Sequence, residues 1–302
     1  MKNLAPIAVF TYNRLDLLKT LIQSLKKNSL SRNSTVYFFS DSWKSIADKK
    51  KVLQVRNFIK NISGFKKKKI ILRNKNFGLA KNLINGIGFV LKKNKKIIVL
   101  EDDLELSNKF LKYINTGLNI YKYEKKVASI HGWSLPINYK KNIPDYFFIK
   151  GADCWGWGTW KRAWKKFNPD GNDLLNKIKY QNLEKIFNLN NSFNYFKMLK
   201  DQVEAKNNSW AIRWHASMFL QNMLTLYPKI SLVQNNGTKY GTHSNFDILN
   251  LGKKFIEKKY KPILKEEVKE NDFARKQIEF FFKKNYLFRI KEFLKNFVIK
   301  ND

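Results

Sequence analysis

Within its first hundred or so residues the chain repeats one pattern four times: a strand-length apolar run, a polar turn, then apolar residues at helical spacing. Leu4–Phe10, Thr35–Phe39, Lys69–Leu72 and Ile97–Leu100 are the runs. Leu15, Leu18, Leu21, Ile22 and Leu25 recur at three- and four-residue steps after the first, with Asn13 placed as an N-cap. Val52, Val55, Phe58 and Ile59 do so after the second, and Leu79, Leu83, Ile84, Ile87 and Leu91 after the third. Strands alternating with helices predict a parallel sheet wrapped by helices through right-handed crossovers. In such open sheets ligands lie beyond the carboxyl ends of the strands. The turns Thr11–Arg14, Ser40–Ser42 and Glu101–Asp103 all fall at that edge.

The fourth unit, Lys96–Leu106, reads KIIVLEDDLEL, so a buried strand runs straight into Glu101, Asp102 and Asp103. Carboxylates this close raise one another's pKa unless positive charge lies between them, and a bound divalent cation supplies it. The alternative is an acidic turn capping the following helix. No G-x-G-x-x-G follows the first strand and no G-x-x-x-x-G-K-[ST] is present, which argues against a dinucleotide enzyme or a P-loop ATPase. Asp103 with a divalent ion, Arg14 and Lys81 would suit a diphosphate, because Mg²⁺ and Mn²⁺ are held by few carboxylates plus substrate oxygens.

The second half changes character. Asn108–Tyr123 reads as a helix and Lys126–Ile130 as a strand leading to His131. Gly151–Trp164 then packs four tryptophans and three glycines into fourteen residues. Trp160 and Trp164, four apart, suit a helix packed on the core, whereas Trp155 and Trp157 flank Gly156 in a turn, where indole faces suit sugar rings. Trp210 and Trp214 lie one turn apart beside Arg213, and His215 reads as a structural histidine. Leu226–Val233 reads as an edge strand because it holds Pro228. Gln234–Asn245 is a polar loop with glycines near both ends, carrying His243 toward a ligand.

Composition bounds the classes. The 302 residues carry 59 Lys and Arg against 24 Asp and Glu, a formal charge of +35. With 43% hydrophobic and 15% aromatic residues the chain is globular and not a disordered polycation. That charge would draw nucleic acid, anionic lipid or phosphorylated ligands. One cysteine, Cys154, excludes an intrachain disulfide and favours a reducing compartment. No run reaches the length of a spanning helix and Met1–Phe10 carries no leader pattern, so the expected location is cytoplasmic, peripheral at most on the inner face of the plasma membrane. Phe280, Leu287, Ile290, Leu294 and Phe297 line one side of a basic terminal helix, placed either on anionic lipid or on protein.

Together these residues resemble the GT-A glycosyltransferases, both bacterial family 2 members and the N-acetylglucosaminyltransferase I type. The matching segments are the TYNR turn at Thr11, the strand-end Asp41, the N-x-G-x-x-x-N run Asn76–Asn82, the EDD at Glu101–Asp103, GWGTW from Gly156, and the later W-x-x-x-W, P-x-x-S-L-V and G-T-H segments, across residues 6 to about 245. The resemblance implies a three-layer α/β/α sandwich with a mainly parallel sheet and a helical C-terminal extension. It implies a GT-A domain over residues 1–248, with a nucleotide-sugar half (1–106) and an acceptor half (107–248), then a basic amphipathic tail (249–302). It implies nucleotide-sugar contacts at Thr11, Tyr12, Arg14, Asp41, Asn76, Gly78, Lys81, Asn82 and Asp102. Asp103 and His243 would hold Mn²⁺ or Mg²⁺, and Trp155, Trp157, Trp210 and Arg213 would meet the acceptor.

The implied activity is an inverting, metal-dependent transfer of a hexosyl group from a nucleotide-diphosphate sugar to a glycan or glycolipid hydroxyl, in bacterial surface polysaccharide or glycoconjugate synthesis. An inverting transferase needs a carboxylate base. The acceptor-side stretch Asn208–Arg213 holds no acid, which leaves Asp153, Asp201 and Glu204 as the candidates. The competing readings are a sugar nucleotidyltransferase, which would want a glycine-rich loop after the first strand, and a nucleic-acid-binding protein, which leaves the three acids without a task.

Overall fold

A computed structural model describes residues 3–237, 261, 263 and 265–299, with side chains followed as far as Asn285. In the first half β1 (Ile7–Thr11), β2 (Thr35–Ser40), β3 (Lys67–Leu72) and β4 (Lys96–Glu101) alternate with α1 (Leu15–Lys26), α2 (Ile46–Asn61) and α3 (Leu79–Lys93). Next come β5 (Leu104–Leu106), α4 (Phe110–Ile120), β6 (Val127–His131), β7 (Tyr146–Lys150), β8 (Trp157–Trp160) and the single turn α5 (Lys161–Trp164). The chain continues through α6 (Gly171–Tyr180), α7 (Glu184–Phe187), α8 (Tyr195–Val203), α9 (Trp210–Leu220), β9 (Leu224–Pro228), β10 (Val233–Asn235) and α10 (Asp272–Ile299).

Eight strands form one sheet in the order β3-β2-β1-β4-β8-β6-β9-β7. β1 to β4 are parallel, β8 runs antiparallel between β4 and β6, β9 is parallel to β6, and β7 is antiparallel to β9. Strand alternation divides the core between two faces. Ile7, Val9, Val36, Phe38, Ile98 and Leu100 meet α1, α2 and α4 on one face. Ala8, Phe10, Tyr37, Phe39, Ile97 and Val99 meet α3 and α9 on the other. The result is a three-layer α/β/α sandwich with a mainly parallel sheet.

Several expectations from the sequence are corrected. The Lys96–Leu106 acids do not cap a helix: Asp102 and Asp103 form the turn between β4 and β5, and β5 pairs with β10. Asn13 does not cap α1; its side-chain amide donates to Asp48 (2.9 Å) and reaches across to α2. β9 lies inside the sheet, and Pro228 is tolerated because it is the strand's last residue, opposite Tyr146. Trp160 ends a strand, with its indole N–H donating to the Leu118 carbonyl (3.1 Å).

Phe280 faces away from the body, 68% exposed, while Ala274, Ile278 and Phe282 of α10 pack against Phe147, Ile149 and Leu189. The i, i+4, i+8 set, and not the one containing Phe280, is the apolar stripe at the start of α10. Arg275 anchors it, 3.0 Å from both Glu270 and Glu279, and donates to the Ile186 carbonyl. The other four apolar positions read onto the terminal helix lie outside the residues whose side chains are described.

Candidate active site at the carboxyl edge of the sheet

β1, β2 and β4 end level with one another, Thr11 opposite Ser40 and Phe10 opposite Glu101. The chain therefore delivers the TYNR turn, Asp41 and the acidic turn to one edge. Arg14 pairs with Asp102 and lies 3.0 Å from Asp103. The Tyr12 amide donates to the other Asp102 oxygen (3.2 Å). Burial opposes the Arg14 charge, but Asp102, Asp103 and Glu101 outweigh it and hold the guanidinium protonated. Glu101 goes the other way: burial, with Asp103 and Asp102 adding to it, pushes its carboxyl up to about 8. Three acids thus share one arginine, and the edge has excess negative charge when all three ionise.

Asp41 is buried, and one oxygen accepts from the amides of Ser42 and Phe77, each at 2.9 Å. Asn76 closes the same loop by donating to the Ser42 carbonyl (2.6 Å) and accepting from the Gly78 amide (3.1 Å). Gly78 takes φ +72° just before α3, a conformation side chains rarely adopt. Asn82 accepts from Arg73 Nε (2.9 Å), and Lys81 holds its ammonium 5.4 Å from the Phe77 ring centre. Asn76, Gly78 and Asn82 therefore shape the loop around Asp41 with their own hydrogen bonds. Two buried polar atoms at this edge have no protein partner among the described residues, Thr11 Oγ1 and Arg73 Nη2. Unpaired buried donors and acceptors are costly, so both mark polar capacity that the protein itself does not use. Arg73 and Arg56, which donates to the Asp41 carbonyl (3.2 Å), were not singled out by the sequence.

Asp103 is pinned from the far side. Its carbonyl accepts from the Asn236 amide (2.8 Å), and Gly237 packs so closely on its carboxylate that a side chain there would overlap it. His243 lies outside the described residues. Among those described, no three His, Cys, Asp or Glu side chains converge as a ready ligand set. What Asp103 offers is one partly buried carboxylate, with Glu101 nearby, beside the Arg14–Asp102 pair. That donor set suits a cation completed by substrate oxygens and waters.

The Gly151–Gly156 loop joins β7 to β8 and lies within the field of this edge. The Cys154 thiol is driven up by burial and by the fields of Glu101, Asp153 and Asp103. Asp153 lines a cavity of about 150 Å³ together with Trp133, Trp155, Tyr195, His215 and Tyr227. The Tyr227 hydroxyl donates to Asp153 (3.2 Å), and burial pushes the Asp153 carboxyl up to about 6. His131 sets the loop: its Nε2 accepts from the Trp155 amide (3.0 Å) and its Nδ1 meets the Trp133 carbonyl (2.9 Å). Burial lowers His131 to about 3, so the ring is neutral. His215, lowered to about 4 by burial, holds the Ala152 carbonyl (2.9 Å) and stacks on Tyr195.

The other acceptor-side residues divide. Trp155 lines the cavity, edge-on to Trp133 with ring centres 4.8 Å apart. Trp157 is fully buried in β8 and packs on Trp210 (5.8 Å) and Trp214 (5.4 Å), so Trp157 and Trp210 are core and not ligand platforms. Arg213 ties α9 to the preceding loop through the carbonyls of Ser209 and Pro169. Asp201 pairs with Lys197 (2.6 Å), and Glu204 with Lys206 (2.7 Å), on the surface of α8. Of the three acids considered as a base, Asp153 alone lines the cavity.

No protein-family profile and no curated protein matches the chain. Among solved structures it is similar to S. aureus TarS, with 16% identity and TM-score 0.33 over 49% of this chain and 25% of that one. S. aureus TarS 1–349 in complex with UDP-GlcNAc gives 16% identity and TM-score 0.33 over 49% and 39% of the two chains. A mannosyltransferase from Pyrobaculum calidifontis, PcManGT, in complex with GDP-Man and Mn²⁺, gives 11% identity and TM-score 0.32 over 58% and 46%. The chain spans less than half the length of each. The architecture given above stands on the chain's own strand order.

Proposed function

We propose that the chain is a glycosyltransferase that moves a sugar from a nucleotide-diphosphate sugar to an acceptor hydroxyl with inversion. One observation carries the reading: a buried carboxylate, Asp153, lines a cavity with Tyr227 as its partner, and the neighbouring Cys154 lies within the fields of Glu101 and Asp103 of the arginine-centred acidic edge. In this reading Asp153 takes the proton as the acceptor oxygen bonds to the anomeric carbon. The bond from that carbon to the diphosphate oxygen breaks, and the electron pair leaves with the diphosphate. Tyr227 positions the base, and a carboxylate near 6 is matched to that task at neutral pH. Arg14 stands where charge grows on the leaving group. Asp41, Arg73 and the Thr11 hydroxyl line the nucleotide pocket.

A divalent ion, Mn²⁺ or Mg²⁺, would be held by Asp103 with Glu101 near it and His243 as a further ligand, and it would neutralise diphosphate charge. The acceptor is a glycan or glycolipid of a bacterial surface, met in the cytoplasm, with residues 249–302 as a basic tail toward the membrane or the body. Among the described residues no helix is long and apolar enough to cross a membrane. The test is release of nucleoside diphosphate from UDP-, GDP- and dTDP-sugars by the full chain, with Mn²⁺ and with chelator. Turnover that requires metal and is lost in Asp103→Ala supports the reading, and full turnover in Asp103→Ala sinks it.

A further inference from the structure

The cavity beside Asp153 is specific about what it can hold. Its volume, about 150 Å³, is that of a single six-membered ring. Leu189, Phe193, Met198, Ile278 and Phe282 form one wall, and Trp133, Trp155 and Tyr139 contribute rings. Some of the polar groups on its surface are engaged already. Tyr227 gives its hydroxyl to Asp153, and Ser209 accepts the Ile212 amide as the cap of α9. His215 Nδ1 is held at Ala152, and the Lys150 ammonium is directed over the Phe219 ring at 4.8 Å. Polar capacity remains at Asp153, whose second oxygen is not used by Tyr227, and at Ser134 Oγ, whereas the Leu189, Phe193, Ile278 and Phe282 side chains offer none.

A fully hydroxylated hexose in this space would turn a hydroxyl to the Leu189, Phe193, Ile278 and Phe282 wall, where it has no partner. Each unpaired buried hydroxyl weakens binding by about tenfold or more. Apolar aliphatic and aromatic surface instead suits C–H faces and methyl groups. Two of the aliphatic and aromatic wall residues, Ile278 and Phe282, come from α10, which Arg275 locks in place through Glu270 and Glu279. The wall is therefore rigidly held and not an incidental gap under a loose helix.

We infer that this cavity receives the acceptor as a single deoxy-sugar ring, its reacting hydroxyl toward Asp153 and its methyl group against Leu189, Phe193, Ile278 and Phe282. This rests on the transferase reading, and it names the substrate class for that site. Direct binding to the full chain, by titration calorimetry or saturation-transfer NMR, would compare methyl 6-deoxyhexopyranosides with the parent methyl hexopyranosides in the gluco, galacto and manno configurations. The expected result is a preference of about tenfold or more for the 6-deoxy member in at least one pair. Ala211→Phe, and separately Met198→Trp, fill the cavity from α9 and α8 and should each abolish it while nucleotide-sugar binding is unchanged. Parent glycosides binding as well as the deoxy forms in all three pairs would overturn the inference, as would a preference that survives both fillings. Donor binding is scored separately. A chain that binds a nucleotide sugar without any ring preference defeats the inference and spares the transferase reading. A ring preference without donor binding defeats that reading and leaves the ring assignment standing.

Discussion

Asp102 and Asp153 are both enclosed by protein, and burial pushes both carboxyls up, but only Asp102 has a cation beside it to offset the cost. Asp102 has Arg14 on one oxygen and the Tyr12 amide on the other, and its neighbours on the turn are two more acids. Asp153 has one phenolic hydroxyl and a wall of aromatic rings. At the first place Arg14 only partly offsets burial and the field of Asp103, so what the edge lacks is further positive charge. At the second the charge is costly, so the group keeps its proton until pH about 6 and gains from any partner that shares one. An acidic edge gathered around one arginine and an isolated carboxylate are complementary: one suits holding phosphate through added cations, the other suits proton transfer.

The contrast can be broken from either side. Asp153→Asn keeps the shape and removes the base, so transfer should fall by about 10² to 10⁴ while donor affinity is unchanged. Steady-state kinetics with a donor titration separates the two. Arg14→Ala should lower transfer by about 10² to 10³ and also destabilise the fold. It leaves Asp102 buried without its cation, a loss of about 3 kcal/mol, toward the small end of such effects because the Arg14 side chain is 31% exposed. Urea unfolding checks this, and Arg14→Lys should restore much of the stability and less of the rate, because ammonium lacks the guanidinium fork.

The pH dependence sharpens the comparison. Asp153 binds its proton more tightly folded, to about 6, than unfolded, near 3.9. Its contribution to stability is therefore full below about pH 4 and is lost as pH rises through about 6, while turnover rises over the same window. Denaturation midpoints from pH 4 to 7 should show a downward component in the parent that is absent in Asp153→Asn. The smallest effects are expected on α8. Asp201→Ala and Glu204→Ala should leave turnover and melting temperature within error, since exposed ion pairs contribute little.

The parallel half of the sheet was legible because each strand and helix in it is defined by contiguous sequence, and their order alone sets which turns share an edge. The second half was not, because its pairings are long-range. Trp155-Gly156-Trp157 looks like a turn, yet Gly156 alone turns, at φ +66°, and Trp157 begins a strand inserted between β4 and β6. The indoles of Trp157, Trp210 and Trp214 then meet in a core that no local spacing reveals. Asp153 looked equivalent to Asp201 and Glu204 in sequence. What distinguishes it is Tyr227, 74 positions away, and a cavity wall lent by α10. Arg73 and Arg56 were hidden for the opposite reason, two arginines among 59 basic residues. A charge census would not find them; their packing beside Asp41 does.

The most direct measurement is the melting temperature of the full chain with UDP-, GDP- and dTDP-sugars, each with and without Mn²⁺. A ligand that binds only the folded form raises the apparent stability, by about 2.7 kcal/mol at a hundredfold excess over its Kd. The expected result is an upward shift with at least one nucleotide-diphosphate sugar, larger with Mn²⁺, abolished by Asp103→Ala and retained by Asp153→Asn. No shift with any donor, or a shift that persists unchanged in Asp103→Ala, would contradict the assignment of the acidic edge as the donor site.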